Sequence, residues 1–168
     1  MAYRIEEAIL ALNDLKVSRI PDKCMVNIGT NHLSSNPKDT NDIEAIKSDY
    51  NKLFDIIQEK FPGCEIFISE IFIRREDKLK GDVDSLNSFL KTACTTRKFT
   101  LMRHSYNIDN KQRHLKDARH LSMSGFWAFL INIRLYMFSM APRFKYNQPN
   151  HNSRNYRHNP HSSRPFFG

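Results

Sequence analysis

Three short apolar runs, separated from one another by helical patterns, constrain the fold of this 168-residue chain more than any other feature. The middle run is the densest in β-branched residues, which favour strands. A helical pattern between consecutive runs supplies the crossover that joins parallel strands. The sequence therefore predicts an α/β domain with a parallel sheet, whose strands lie at residues 24–28, 65–73 and 99–102.

Four amphipathic patterns predict the helices that accompany these strands. Their apolar residues recur at the spacing of one helix face. Asn41, with Glu44 three residues later, predicts the N-cap of the second helix. Tyr50 and Phe54 fall on the apolar face of that helix and are predicted core aromatics. The four patterns cover residues 5–16, 43–57, 83–95 and 122–140.

The last helical pattern is strongly apolar, but it is too short to cross a membrane. A membrane-spanning helix needs about 20 apolar residues, and Asn132 and Arg134 interrupt this one. Trp127 is predicted to be a core aromatic. The face predicted to cover the sheet consists of Phe126, Leu130, Ile133 and Met137. We therefore expect a core helix and no contact with a membrane.

Positive charge is concentrated at the C-terminal end of the chain. The formal net charge is +8, and residues 141–168 contribute five Arg and Lys residues with no Asp or Glu. Because this part lacks any apolar period, we predict a folded domain over residues 1–140 and a disordered basic tail over 141–168. Its arginines alternate with aromatic residues, which favours weak, salt-sensitive contact with nucleic acid. A tail that serves only solubility is the alternative.

The sequence predicts an intracellular protein without a metal or cofactor. Glu6 and Glu7 stand where a signal peptide needs apolar residues, so a cytoplasmic location is expected. The three cysteines have wide, irregular spacing, which favours reduced thiols. A metal site would have to use four dispersed histidines, and no His-x-His or His-Glu-x-x-His spacing supports it. These histidines are His32, His104, His114 and His120.

A polar motif with sequence Asp-Ala-Arg-His, residues 117–120, precedes the last helix. Histidine is the side chain that ordinarily titrates near neutrality, so His120 suits a general base. In a tight turn the carboxylate of Asp117, three residues earlier, would reach the imidazole Nδ1–H. That contact would select the tautomer and stabilise the imidazolium. An ordinary polar loop is the alternative explanation.

A second polar motif, Gly-Thr-Asn-His at residues 29–32, follows the first predicted strand. Gly29 allows a sharp backbone turn at this point. Asn31 would then lie at the carboxyl end of a parallel strand, where the sites of α/β proteins gather. Its side-chain NH₂ suits a donor to a developing oxyanion. A common strand-to-loop turn is the alternative.

Together the two motifs resemble the Gly-x-Asn-Asp and Asp-x-x-His blocks of SGNH (GDSL-type) serine hydrolases. Leu121 and Gly125 match the opening of that family's terminal helix, and the resemblance extends over residues 5–138. It implies a three-layer α/β/α, flavodoxin-like fold that hydrolyses ester or acyl bonds. Such domains also occur in retrotransposon-encoded proteins, beside nucleic-acid-binding segments. The implied catalytic residues are His120, Asp117, Asn31 and Gly29.

The chain departs from the family where the Gly-Asp-Ser nucleophile block should lie. That block belongs on a strand before Gly29, but the single serine in this region, Ser18, lacks the flanking Gly-Asp. Ser85 follows an Asp, but it lies in a helical pattern and is rejected as a nucleophile. His32 stands where the family has Asp. We therefore predict an SGNH-type sheet that lacks its first strands and whose activity by itself is absent or very low.

Absence of the first strands would leave the strand at residues 24–28 with an unpaired apolar edge. Such an edge invites self-association or capture by another chain. Two interpretations therefore stay open. The chain is either an inactive relative of ester hydrolases, or a non-catalytic binding protein that uses its basic tail for nucleic acid or its open sheet edge for a partner.

Overall fold

The computed structural model describes residues 4–33, 41–72, 77–104, 108, 114–116 and 120–138. Four helices and three strands lie within these residues. The helices are α1 (Ile5–Asp14), α2 (Ile43–Lys60), α3 (Asp77–Arg97) and α4 (Met123–Met137). The strands are β1 (Lys23–Val26), β2 (Glu65–Ser69) and β3 (Thr100–Met102). The predicted tail and Asp117 lie outside the described residues.

The three strands form one parallel sheet in the order β1-β2-β3. Cys24 lies opposite Ile66, and Ile68 lies opposite Leu101. Parallel neighbours cannot be joined by a tight hairpin, so α2 and α3 provide the two crossovers. The predicted α/β class and parallel sheet are confirmed. Within the described residues, β1 and β3 form the two edges.

Alternate side chains of the sheet point into two different layers. Ile66 and Ile68 belong to the main core, together with buried residues of α1, α2 and α3. Ser69 points the other way and meets His104, which is hydrogen-bonded to α4. The helices therefore cover both faces, as the predicted three-layer arrangement requires. The most deeply buried core side chains include Ile5, Tyr50, Phe54, Leu79, Leu86 and Leu90.

β2 is shorter than the predicted strand at residues 65–73. Its ladder ends at Ser69. Beyond that point, an asparagine side chain forms hydrogen bonds with both the N–H and the carbonyl of Ile71. Asn87 Oδ1 accepts the Ile71 N–H at 2.8 Å, and Asn87 Nδ2 donates to the Ile71 carbonyl at 2.9 Å. A side chain of α3 thus makes the two hydrogen bonds that a neighbouring strand would otherwise make with Ile71. Sequence periodicity does not reveal such a long-range replacement.

The N-cap of α2 is Asp42, one residue after the predicted Asn41. Asp42 Oδ1 accepts a hydrogen bond from the Ala45 N–H at 2.9 Å. A carboxylate at this position also interacts favourably with the helix dipole. Asn41 instead donates to Asp82 Oδ2 at 2.7 Å, which links the start of α2 to α3.

The predicted inward face of α4 is wrong for two of its four residues, while Ile133 and Met137 are half-buried. Phe126 and Leu130 are exposed, and Trp127, predicted to lie in the core, is 57% exposed. The residues that face the sheet are Gly125, Phe129 and Asn132. Tyr50 and Phe54 are buried as predicted.

Specific contacts, rather than average hydrophobicity, select the buried face of α4. The Phe129 ring packs against Phe72 and His104, at centroid distances of 5.2 and 5.0 Å. A Cβ atom added at Gly125 would overlap the carbonyl oxygen of His114 and lie 3.0 Å from its carbon. The helix can approach His114 this closely only with glycine here. Among the described residues, no helix is long and apolar enough to span a bilayer.

Candidate functional site

The chain turns sharply at Gly29, just beyond the carboxyl end of β1. Its φ is 112°, in the region that favours glycine. A Cβ atom here would overlap the hydroxyl oxygen of Tyr50 and lie 3.0 Å from Tyr50 Cζ. That hydroxyl donates to the Ile28 carbonyl at 2.6 Å. Backbone conformation and packing therefore both require glycine at position 29.

Tyr50 is the anchor of this turn. Its side chain belongs to the core, with the ring centroid 5.6 Å from that of Phe54, and burial raises the pKa of its hydroxyl. The hydroxyl consequently remains protonated at ordinary pH and can act as a donor. The hydrogen bond to Ile28 holds the end of β1 against α2.

Asn31 lies in a 3₁₀ turn, Thr30–His32, that begins directly after Gly29. Its side chain is exposed and lines a groove of about 570 Å³ beside β1. Apolar residues of α1, of its C-cap and of α2 form much of the wall: Ala8, Ala11, Leu12, Leu15, Leu53 and Ile57. The predicted oxyanion donor is thus placed at the polar end of a mostly apolar groove.

His32, which replaces the Asp of the family motif, binds the start of α1. Its Nε2 lies 2.8 Å from Glu6 Oε2, and the imidazole is only 6% exposed. A hydrogen bond from its own backbone N–H and another from His32 hold the pKa of Glu6 below its ordinary value. The His32 side chain therefore secures the Gly29 turn to α1.

His120 lies in a turn directly before α4, and its side chain is exposed. Leu115 and Leu121 form an antiparallel bridge, and the Lys116 N–H donates to the His120 carbonyl at 2.9 Å. Asp117 lies outside the described residues, so the pairing of His120 with Asp117 stays a prediction. Among the described residues, those that line the groove beside Asn31 do not include His120. The structure thus places Gly29 and Asn31 together and His120 in a separate turn.

Hydrogen bonds fix the start of α4 immediately after His120. Ser122 is the N-cap, and its Oγ accepts from the Gly125 N–H at 3.2 Å. The Ser122 N–H donates to the His114 carbonyl at 3.0 Å. The position of the His120 turn consequently depends on how α4 is docked on the sheet.

A buried serine, histidine and asparagine meet beneath α4, and no sequence motif indicated them. Ser69 Oγ lies 2.8 Å from His104 Nε2, and Asn132 Nδ2 lies 2.7 Å from His104 Nδ1. None of the three residues is more than 3% exposed. Ser69 ends β2, and His104 follows β3. The sequence does place a polar residue at the end of each of these parallel strands, but without a motif that connects the two residues.

The hydrogen bonds of this cluster run in the opposite direction to those of a hydrolase triad. Asn132 Nδ2 also donates to the Arg103 carbonyl at 2.8 Å, so we assign His104 Nδ1 as an acceptor and place the proton on Nε2. The Ser69 hydroxyl donates to the Glu70 carbonyl at 3.1 Å. A triad histidine must instead accept at Nε2 and donate at Nδ1. Burial lowers the pKa of His104 to about 4, which keeps its ring neutral.

The serines considered from the sequence, Ser18 and Ser85, are not among the described residues that line the groove beside Asn31. Ser18 is exposed in a bend that precedes β1, and Asn31 follows β1. Ser85 lies within α3. Within the described ranges, no group of three or more His, Cys, Asp or Glu side chains is arranged to hold a metal ion.

Solved structures of acylhydrolases and esterases share this fold. A Bacteroides fragilis protein assigned as an acylhydrolase has a TM-score of 0.68 at 12% identity, with 82% of this chain and 71% of that chain covered. A Streptococcus pneumonia protein assigned as a platelet activating factor has a TM-score of 0.61 at 14% identity, with 80% and 68% covered. An acetyl xylan esterase has a TM-score of 0.59 at 15% identity, with 83% and 76% covered.

Neither a protein-family model nor a curated protein matches the chain. At the identities of the solved structures, the likeness shows the fold alone. That fold is the α/β arrangement of these acylhydrolase and esterase structures, of which the described residues contain three parallel strands. The predicted fold class is confirmed.

Proposed function

We propose that this chain forms an SGNH-hydrolase-like domain related to serine esterases, and that it does not turn over ester or acyl substrates by itself. The observation that carries this proposal is the turn at Gly29, a left-handed glycine locked by Tyr50 at the carboxyl end of β1. It presents Asn31 to a groove at the edge of an α/β sheet where ligands bind. The esterase and acylhydrolase folds support the same class of chemistry.

In this proposal the side-chain NH₂ of Asn31 stabilises an oxyanion, His120 acts as the base, and Asp117 orients His120. An acyl-enzyme also needs an activated hydroxyl. Ser18 lies in an exposed bend before β1 and does not line the groove, and Ser69 is buried with its Oγ facing the protonated Nε2 of His104. In this proposal neither Ser18 nor Ser69 serves as that hydroxyl, so Asn31, His120 and Asp117 polarise a carbonyl without forming the covalent intermediate.

Hydrolysis of p-nitrophenyl acetate tests the proposal. We expect the full chain and the His120→Ala variant to give the same rate as buffer. The matched control is Lys116→Ala, an exposed residue of the same turn. Turnover that is lost in His120→Ala and retained in Lys116→Ala would refute the inactive assignment.

A second candidate function is association through the edge of β1, which has no neighbouring strand on its outer side among the described residues. Because the Asp22 carbonyl accepts from the Glu65 N–H, the backbone groups of Cys24 and Val26 face β2, and those of Lys23 and Met25 face outward. Lys23, the charge on this edge, is 3.2 Å from Glu65. Edge strands that avoid pairing carry charges, bulges or proline. Here the charge of Lys23 is paired with Glu65, and the four residues form a regular ladder without a bulge or a proline. We propose that a second copy of the chain pairs here through a two-fold axis.

Sedimentation over a range of concentrations tests this association. Met25→Pro removes an outward N–H, which an edge strand tolerates, and it should leave a monomer. Ser18→Pro, in the exposed bend before the strand, is the matched control and should behave like the parent chain. A dimer that persists in Met25→Pro, or a parent chain that is monomeric throughout, would contradict the edge-pairing proposal.

A further inference from the structure

One directed chain of buried hydrogen bonds joins α4 to the ends of β2 and β3. The amide of Asn132 donates to His104 Nδ1, His104 Nε2–H donates to Ser69 Oγ, and the Ser69 hydroxyl donates to the Glu70 carbonyl. Each donor faces an acceptor, and the chain leaves no ring nitrogen of His104 for another role. The direction of the chain depends on an unprotonated Nδ1.

We propose that Ser69, His104 and Asn132 form a lock that holds α4 on the sheet only while the His104 ring is neutral. A proton on Nδ1 would face Asn132 Nδ2 at 2.7 Å, which places two donors against each other. The Asn132 amide cannot correct this by rotating, because its Nδ2 also donates to the Arg103 carbonyl at 2.8 Å. After rotation, Oδ1 would face that carbonyl oxygen. Protonation therefore breaks the lock in either amide orientation.

The surroundings of the ring make a charged His104 costly. Phe72 and Phe129 lie against it, with centroid distances of 4.9 and 5.0 Å. The carboxylate of Glu70, which follows β2, accepts a hydrogen bond from the backbone N–H of His104 and not from its ring. On α4, the Tyr136 hydroxyl oxygen accepts a hydrogen bond from the Arg103 N–H at 3.1 Å. The low pKa of His104, about 4, has the same cause, because burial disfavours the charged ring.

The lock connects pH to the position of the His120 turn. α4 begins at Met123 and is joined to His120 through its N-cap, Ser122. When Asn132 is released, α4 loses its hydrogen bond to His104, and the turn before it is held by fewer contacts between α4 and the sheet. This proposal stands on the contacts of His104 and does not depend on the proposed function.

Urea unfolding at pH 7.5 and pH 5 tests the lock. The unfolded chain, with an ordinary histidine pKa of 6.5, binds a proton more readily in this window than the folded chain, with a pKa of about 4, so stability falls as the pH falls. From this group alone, the unfolding equilibrium constant should rise roughly 30-fold between the two pH values. Other groups titrate as well, so the comparison with variants isolates the effect of His104.

Asn132→Asp is the informative variant, because a carboxylate accepts from Nδ1–H and tolerates a protonated ring. It loses the hydrogen bond to the Arg103 carbonyl, so we expect lower stability at every pH, and the pH dependence is the quantity compared. We expect it to lose most of the 30-fold acid effect. Asn51→Asp, on the exposed surface of α2, introduces the same charge and should keep the acid effect. Equal pH dependence in the parent chain and both variants would overturn the proposal.

Nuclear magnetic resonance of the parent chain provides a second test if Asn132→Asp does not fold. We expect the His104 ring to be neutral at pH 6, with the proton on Nε2, and to titrate near pH 4. A proton on Nδ1, or a titration near 6.5, would overturn the proposal without any substitution.

Discussion

Substitution of Gly29 by alanine should destabilise the protein through two separable effects. The backbone at position 29 has φ 112°, which side chains with a Cβ atom rarely adopt. The new Cβ would also overlap the hydroxyl oxygen of Tyr50, which donates to the Ile28 carbonyl at 2.6 Å. Tyr50 is 1% exposed, so it has no room to withdraw without disturbing the core.

The two effects have comparable sizes. A residue held in a disfavoured backbone region costs about 1–3 kcal/mol. A displaced Tyr50 hydroxyl leaves the Ile28 carbonyl without its partner, which costs about 1–3 kcal/mol more. Gly29→Ala should therefore lower the free energy of unfolding by about 2–6 kcal/mol, a large part of the roughly 5–15 kcal/mol available to a domain.

A double-mutant cycle measured by urea unfolding separates these effects. Tyr50→Phe alone should cost about 1–3 kcal/mol, because it removes the hydrogen bond. In the double variant the overlapping oxygen is gone and the hydrogen bond is lost only once. The double variant should therefore cost about 1–3 kcal/mol less than the sum of the single variants.

Gly63→Ala is the matched control for backbone conformation. Gly63 also has a positive φ, 79°, but a Cβ atom there would meet nothing within 4 Å. It should cost about 1–2 kcal/mol, from backbone strain alone. The reasoning about Tyr50 is refuted if Gly29→Ala costs no more than Gly63→Ala, or if the two single substitutions are additive.

Three further predictions concern other parts of the chain. Gly125→Ala should lower the free energy of unfolding by about 1–3 kcal/mol, because the new Cβ overlaps the His114 carbonyl, and hydrogen exchange should report the change at the start of α4. Glu6 has a lowered pKa, so its stabilising contribution is present above its ordinary pKa and is lost as pH falls through the lowered value. Glu6→Gln should remove that contribution, about 0.2–1 kcal/mol for a pair whose carboxylate is half exposed, in urea unfolding at pH 7, and the difference from the parent chain should shrink as the pH falls below the ordinary pKa of a glutamate. Deletion of residues 141–168 should abolish salt-sensitive RNA binding in a filter-binding assay, and the absence of binding by the full chain at low salt would contradict the predicted nucleic-acid contact.

The candidate site was only partly readable from the sequence. The Gly29 motif pointed to a turn at the carboxyl end of β1, where the structure has one. The contact that requires glycine comes from Tyr50, 21 positions later in the chain, and no local pattern connects the two residues. The Ser69–His104–Asn132 cluster was missed for the same reason, because its members are 35 and 28 residues apart. The roles of Asn31, Asp117 and His120 stay predictions.

The periodicity of apolar residues by itself determined the alternation of helices with strands, and hence the parallel sheet. Those features depend on spacing within one segment, and local spacing reflects which face of a helix or strand is apolar. Only the tertiary structure decided which face of α4 is buried, since nearly the whole circumference of that helix is apolar. Phe126 and Phe129 are equally hydrophobic, but only Phe129 meets His104 and Phe72. The choice between them depends on residues that are distant in sequence and adjacent only after folding.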